Sequence, residues 1–432
     1  MKSSTGLRGR FSEQYVDLLQ RFGEEAAAVR HEMFFLAAGR SPLMARLRAC
    51  AALLRDVWLL LFHTGPEPRG SATHQAVMLT TLAGVSGWGT LSRSLPDIAA
   101  TGYQPLVLAH PRLRPALFAA GLPVMRPARI GWRSWMSALR TFMGSLKQYP
   151  LTLACCLTRR RLWVASLQKT LAECRGVLLL HNDFDLMSRA AIGLGLPAIC
   201  LQHGIPTDEF FPTHADWYVV WGSSSRRAFT AQTAAGTRLI EDALGRGEMV
   251  MTSTHSAPTA VALLSQTHAQ VLGDGIHGML STFAADLLDV MPQARILLHP
   301  QEGQPYIGAV ATATRQPPHA ELKPAATACC LVAGYCSTAM LDAALAGHWV
   351  VTLRLPLAGN TVARDVVAAP LQVETADQLS ALYRRLQEDH AFRLACAEAQ
   401  NTWLAACFSR PSGSFADLLQ RLKREQPLER DL

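Results

Sequence analysis

Two short polar clusters stand directly after apolar runs near the middle of the chain. His181, Asn182, Asp183 and Asp185 follow Val177-Leu178-Leu179-Leu180, and Gln202, His203 and Gly204 follow Ala198-Ile199-Cys200-Leu201. A carboxylate at the end of a buried strand, facing a cleft, is a candidate general base for an attacking hydroxyl. Asp183 is the first such candidate, with Asp185 beside it. His203 is the second, as base or as electrostatic stabiliser. His181 suits a structural hydrogen bond equally well.

The second half carries a complementary set. His299-Pro300 follows the run at 294–298. The proline fixes a turn and denies a helical start, so the imidazole projects beyond the strand end, where it can donate to a phosphate and stabilise a departing nucleotide. Glu302 lies in the same turn and is grouped with it. Ser337-Thr338 opens a helix after the apolar run at 327–332. A hydroxyl with free helix N–H groups is an anion site, or else an ordinary N-cap. Asp342 comes about one turn later on the same face, placed to accept from ribose hydroxyls or to sit as a solvated carboxylate. No Cys-x-x-Cys occurs, and Asp183-Phe184-Asp185 matches an Asp-x-Asp by letters only; no bound metal is expected.

Short continuous apolar runs suit strands of a parallel sheet covered on both faces. Those at 177–180, 198–201 and 217–220 are three such strands, with a helix at 186–194 closed by Gly195 and Pro197 between the first two. In open α/β sheets, ligands bind at the carboxyl ends of strands, which is where both polar clusters fall. Before this centre, helices are expected at 14–21, 24–38 and 42–62, and strands at 76–79, 105–109 and 122–125. Residues 80–89 form a loop with three glycines, Gly84, Gly87 and Gly89. It resembles a phosphate-binding turn without the G-x-G-x-x-G spacing, or a place where an acceptor sugar passes the backbone. After the centre, helices are expected at 224–234, 237–244, 259–272 and 277–290, and strands at 248–252, 294–298 and 349–353.

The domain reading is a helical N-terminal extension (1–70), a Rossmann-like domain (71–244), a second Rossmann-like domain (245–406), and a C-terminal crossing helix and tail (407–432). The fold class is α/β, two Rossmann-like domains facing across a cleft.

With 432 residues and 49% hydrophobic content, the chain has ample material for large cores. A net charge of +8 fits a protein that meets phosphates of nucleotides, nucleic acid or an anionic membrane face, or else a diffuse basic surface; no nucleic-acid partner is expected. The ten cysteines sit mostly in apolar segments, which fits a reducing cytoplasm. No run is long enough to span a bilayer; 51–63 reads first as a core or partner-facing helix, with an interfacial amphipathic helix as the alternative. The basic run Arg159-Arg160-Arg161 could face membrane phosphates or an anionic acceptor, or be a solvated helix turn.

The order of these pieces resembles GT-B glycosyltransferases of bacterial surface-polysaccharide synthesis. The nearest groups are capsule polysialyltransferase-like and Kdo-transferase-like proteins, with CDP-glycerol glycerophosphotransferases more distant. The matching pieces are LQHG at 201–204, HADWYVVWG at 214–222, ILLHPQE at 296–302, GYCSTAMLDAALAG at 334–347 and FSRPSGSFADLLQRL at 408–422. The resemblance implies a metal-independent transfer of a sugar from a nucleotide donor, with CMP-sugar favoured over UDP-sugar. The nucleotide sugar is a co-substrate, and no cofactor is implied. The donor phosphate would rest on His299, Ser337 and Thr338. The resemblance implies an acceptor role for the first Rossmann-like domain and a nucleotide-sugar role for the second. The implied acceptor is a surface polysaccharide or lipid-linked glycan, which brings a peripheral contact with the inner membrane. The acidic base motif of the sialyltransferase-like members, two acidic residues then glycine, is absent in that form, so Asp183 is placed by position only. A nucleotide-sugar epimerase of the same architecture and a non-catalytic protein of this fold are the alternatives.

Overall fold

The computed structural model describes residues 11–37, 40–65, 73–80, 85–234, 236–246, 256–266, 275–298, 329–355, 368–409 and 414–426, and the elements named below lie within them. Two parallel sheets dominate. The first contains β1 (Gln75–Leu79), β2 (Gln104–Leu108), β3 (Val124–Met125), β4 (Gly176–Leu180), β5 (Ala198–Leu201), β6 (Trp217–Val220) and β7 (Arg238–Glu241). Its order is β3-β2-β1-β4-β5-β6-β7, the doubly wound order of a Rossmann sheet extended by one strand. The inner strands read as unbroken apolar runs because helices cover both faces. β4, β5 and β6 are buried at every position. The register is set at the start of β4: Gly176 pairs with Gln75 at φ +125°, and a Cβ there would lie 2.2 Å from the Gln75 carbonyl oxygen. Only glycine fits.

The covering helices of this half begin with α1 (Phe11–Phe22), α2 (Glu24–Ala27), α3 (Arg30–Ala37) and α4 (Pro42–Phe62). They share a core with the sheet: Ala26, Val29, Leu59 and Leu60 pack in one cluster with Val77, Leu178 and Leu180. The buried Arg30 fixes them further, donating to the carbonyls of Phe211 (2.5 Å) and Glu209 (3.1 Å). Then come α5 (Val85–Leu91), α6 (Leu95–Ala100), α7 (Arg114–Ala119), α8 (Trp132–Gln148), α9 (Leu151–Leu171), α10 (Leu186–Ala191) and α11 (Ser223–Thr230).

The second sheet has the order β12-β11-β10-β8-β9, all parallel, from β8 (Ala260–Leu264), β9 (Arg295–Leu297), β10 (Cys330–Gly334), β11 (Trp349–Leu353) and β12 (Leu371–Val373). Its helices are α12 (Ile276–Val290), α13 (Thr338–Leu345), α14 (Ala376–Glu388) and α15 (His390–Cys407). α16 (Ser414–Glu425) then returns to the first half, where Phe415, Leu418, Leu419 and Leu422 join the core of the first sheet. The Tyr103 hydroxyl donates to the Leu419 carbonyl, and Lys423 donates to the carbonyl of Thr101.

Four expectations are corrected. Residues 237–244 are not helical: Arg238–Glu241 pairs with β6 as the edge strand β7. Residues 259–272 are not a helix at their start, because Ala260–Leu264 is a strand held between β9 and β10. Its continuous apolar run is what burial on two faces requires, and periodicity alone cannot separate that from a buried helix. Gly87 and Gly89, placed in a loop, lie in α5. The helix after β4 ends at Ala191, ahead of Gly193 and Gly195, which both take positive φ. The strand expected at 248–252 lies outside the described residues. No helix among the described residues is long and apolar enough to cross a membrane.

Candidate functional site

Each sheet reverses its winding at one point, and it is beyond the strand ends at such a point that open α/β sheets bind ligands. In the first sheet the reversal lies between β1 and β4, and the residues at that tip are Thr80 and His181. In the second it lies between β8 and β10, bounded by Ser265, Gln266 and Cys336, with the Gln266 amide donating to the Cys336 carbonyl at 2.6 Å. The two tips meet. The N–H of Ile205, in the turn after β5, donates to Thr338 Oγ1 at 3.2 Å. Arg246, stacked over Trp221 at 4.2 Å, forms an ion pair with Asp342 of α13 at 2.9 Å.

At the first tip, Asn182 is a hub. Its amide donates to Asp185 Oδ2 (2.9 Å) and reaches His181 Nε2 (3.0 Å). Its oxygen accepts from the Asp185 N–H (3.2 Å) and the Ser188 hydroxyl (3.3 Å). An amide nitrogen can only donate, so His181 Nε2 accepts and the proton sits on Nδ1. Burial lowers the His181 pKa, against the pull of Asp185 and a hydrogen bond to the Leu79 backbone, which keeps the ring neutral. A Cβ on Gly87 would lie 3.1 Å from this ring, tight enough that the ring would have to shift to admit it. Asp185 itself caps α10 by accepting from the Ser188 N–H at 2.8 Å.

Asp183 does not face the crevice. It is 0% exposed, and its Oδ2 accepts from the N–H groups of His214 (2.5 Å) and Ala215 (3.0 Å). Burial pushes its carboxyl up to about 6, with those two N–H groups opposing. It anchors the loop before β6 and is absent from the crevice lining. His203 does line the crevice, half-buried, with its ring stacked on Phe210 at 4.9 Å and 6.0 Å from that of His181. Gln202 is structural: it donates to the Gly204 carbonyl and Ser225 Oγ and accepts from the Trp221 N–H, pinning the turn that carries His203.

In the second half, Ser337 is the N-cap of α13, accepting from the Ala339 N–H at 3.3 Å. Thr338 Oγ1 also accepts in its bond from Ile205, so each hydroxyl retains its own O–H to donate to an anion. Asp342 is corrected: rather than standing ready for a ribose, its Oδ1 is held by Arg246 across the junction of the two halves. His299 and Glu302 lie outside the described residues.

The crevice measures about 1050 Å³ and is walled by α3, α4, α9 and the strand tips of the first sheet. Its wall contains a charge network that the motifs did not suggest. Arg159 bonds Asp56 (2.8 Å) and Glu32 (3.2 Å), and Asp56 also accepts from Trp163 Nε1 (2.9 Å) and Arg55 (2.9 Å). Burial lowers the affinity of Arg159 for its proton, but Asp56 and Glu32 outweigh that and raise its pKa. The basic run is thus split, with Arg159 facing inward and Arg161 outward. Helical spacing was the available signal, since Arg159 shares a face with Cys155, Leu162 and Ser166.

No family model matches this chain, and no curated protein does. Among solved structures it is similar to a variant of the Thermobaculum terrenum O-GlcNAc transferase, at 13% identity and a TM-score of 0.42, covering 96% of this chain and 80% of that one. It is also similar to Anabaena Alr3699/HepE in complex with UDP and glucose, at 14% identity and a TM-score of 0.46, covering 82% and 98%. A third is the spinosyn rhamnosyltransferase SpnG complexed with thymidine diphosphate, at 17% identity and a TM-score of 0.44, covering 81% and 100%. Identities this low carry no residue role from those proteins to this one.

Proposed function

We propose that the protein is a glycosyltransferase of the GT-B type, moving a sugar from a nucleotide donor to a glycan acceptor. The observation that carries this reading is the meeting of the two strand-tip clusters at the Ile205–Thr338 contact. The donor rests on the second half. Ser337 and Thr338 offer their hydroxyls at the start of α13, where the positive end of the helix dipole favours a phosphate. His299 completes that site and stabilises the charge that develops as the nucleotide leaves. The sequence resemblance favours a CMP-sugar over a UDP-sugar.

The acceptor enters the crevice of the first half. His203 takes its proton, oriented by the stack on Phe210, while Asp183 serves the loop behind it. The acceptor class is a lipid-linked or growing surface glycan. Its support is the outer face of α4, where Leu43, Leu47, Leu54 and Leu61 are exposed. The exposed charges of that helix are Arg46, Arg48 and Arg55, and its one carboxylate, Asp56, is buried. Such a face suits the anionic inner surface of a membrane.

Calorimetric titration with CMP-, CDP-, UDP- and GDP-sugars tests the reading. Saturable binding of one nucleotide class, lost together with transfer in His299→Ala, is the expected result. Binding of none of them, by a folded protein, would overturn it.

A further inference from the structure

We infer that the end of the crevice between α4 and β2 is an anion subsite, which recognises an acidic group, phosphate or carboxylate, carried by the acceptor saccharide. This rests on the reading that the crevice admits the acceptor.

Cationic and imidazole groups converge there from three elements. Arg55 lies on α4 and His63 just after it, His110 and Arg112 follow β2, and Arg114 opens α7. A small side chamber here is lined by His63, Thr80, His110, Arg114 and Trp163 with apolar residues and no carboxylate, and the crevice beside it brings Arg55, His63, His110 and Arg112 together. Arg114 is only 7% exposed, and its described partners are the main-chain carbonyls of Ala109 (3.0 Å) and His63 (3.2 Å) rather than an acid. The nearby carboxylate, Asp56, is occupied by Arg159, Arg55 and Trp163.

Arg55 is paired with Asp56, but Arg112 and Arg114 have no ion pair among the described residues, and cations at close quarters repel, the more so where they are buried. Both histidines register it. Burial lowers the pKa of His63, with Arg114 and Arg126 adding to the effect, and that of His110, with Arg112, Arg55, Arg114 and His63 adding. An anion seated among these groups would relieve the strain and gain charge-assisted hydrogen bonds. His110 Nδ1 accepts from the Arg112 N–H at 3.3 Å, so the neutral ring keeps its proton on Nε2 as a donor. Trp58, 50% exposed and packed on His63 at 4.4 Å, offers an aromatic face for the sugar ring bearing the acid.

The test titrates the full chain, without donor, with glucose 1-phosphate, glucuronic acid and glucose. At least one acidic sugar is expected to bind measurably tighter than glucose, and whichever is preferred identifies the acid. Arg112→Glu, at an exposed position, is expected to weaken that binding at least tenfold, with His63→Gln as a second variant of the same sign. Thr338→Val should leave it unchanged. Equal binding of all three sugars, or binding lost in Thr338→Val but kept in Arg112→Glu, would overturn the subsite. The transferase reading fails separately, through absent nucleotide-sugar binding, and that result does not alter these titrations.

Discussion

The Ile205 N–H and the Thr338 hydroxyl lie 3.2 Å apart, tying the turn after β5 to the first residue of α13. A Cβ on Gly204 would fall 3.3 Å from the same oxygen, so the turn sits directly on the helix start. Thr338→Val keeps the shape and removes the hydroxyl. It leaves a buried-side N–H without its acceptor and strips one donor from the phosphate site. A stability loss of about 1–3 kcal/mol is expected, together with a roughly tenfold weaker nucleotide affinity. Thr338→Ser should restore most of both. Thermal melts and calorimetry read the two effects, and unchanged nucleotide affinity in the valine variant would remove Thr338 from the donor site.

His203 is the crevice-facing base in this scheme, and general base catalysis contributes about 10²–10⁴-fold. His203→Gln should therefore lower kcat by at least about 100-fold on that basis while leaving nucleotide binding intact. Its ring packs on Phe210, so a melt must accompany the assay. Wild-type kcat in a folded His203→Gln protein would require another base.

Asp183→Asn separates an anchor from a base. The folded-state carboxyl titrates at about 6 against an ordinary 3.8, because burial disfavours its charge. The sign follows: its contribution to stability is fully present below about pH 4 and is lost as pH rises through about 6. A shift of this size corresponds to roughly 3 kcal/mol. Asparagine keeps an oxygen to accept from the His214 and Ala215 N–H groups and cannot ionise. The variant is expected to be more stable than wild type at pH 7, equal to it near pH 4, and active in transfer. Urea unfolding across that range checks the first two, and loss of transfer in a stable protein would return Asp183 to the chemistry.

Parts of this were legible from residue order and parts were not. Runs such as 177–180 and 349–353 announce themselves because a strand covered on both faces must be apolar throughout. The same uniformity concealed 260–264, where no alternation distinguishes strand from helix. Asp183 was misplaced because sequence shows that a carboxylate follows a strand but not whether the chain turns it outward or back beneath the neighbouring loop. Asp342 was misplaced because its partner, Arg246, is 96 positions away. That His203 lies in the turn after β5 and Thr338 at the start of α13 was legible, because the chain must turn directly after each buried strand.

Asp56 holds three groups of the crevice wall, and truncating one member of a buried ion pair leaves its partners charged and unpaired. Asp56→Ala is expected to cost about 3–5 kcal/mol, read as a lowered urea midpoint. Exposed Arg21 and Asp17 give the contrast, since Asp17→Ala at that surface pair should change stability by less than about 1 kcal/mol. Comparable losses in the two variants would show that the buried network adds nothing special to the wall.

The outer face of α4 makes the membrane contact testable without knowing the acceptor. Leu47 and Leu54 are exposed and outside the crevice lining, whereas Trp58 on the same helix reaches into it. A helix lying in an interface gains from apolar burial and from attraction of its arginines to anionic lipid, the second part screened by salt. Sedimentation with vesicles of phosphatidylglycerol and phosphatidylcholine should carry down the wild-type protein, more weakly in pure phosphatidylcholine and in high salt. Leu47→Glu with Leu54→Glu should abolish that binding while nucleotide affinity stays at the wild-type value, because the proposed donor site lies on the other sheet. If the doubly substituted protein still sediments with anionic vesicles, α4 is not the seat of the contact, and the exposed stripe must be covered by something other than lipid.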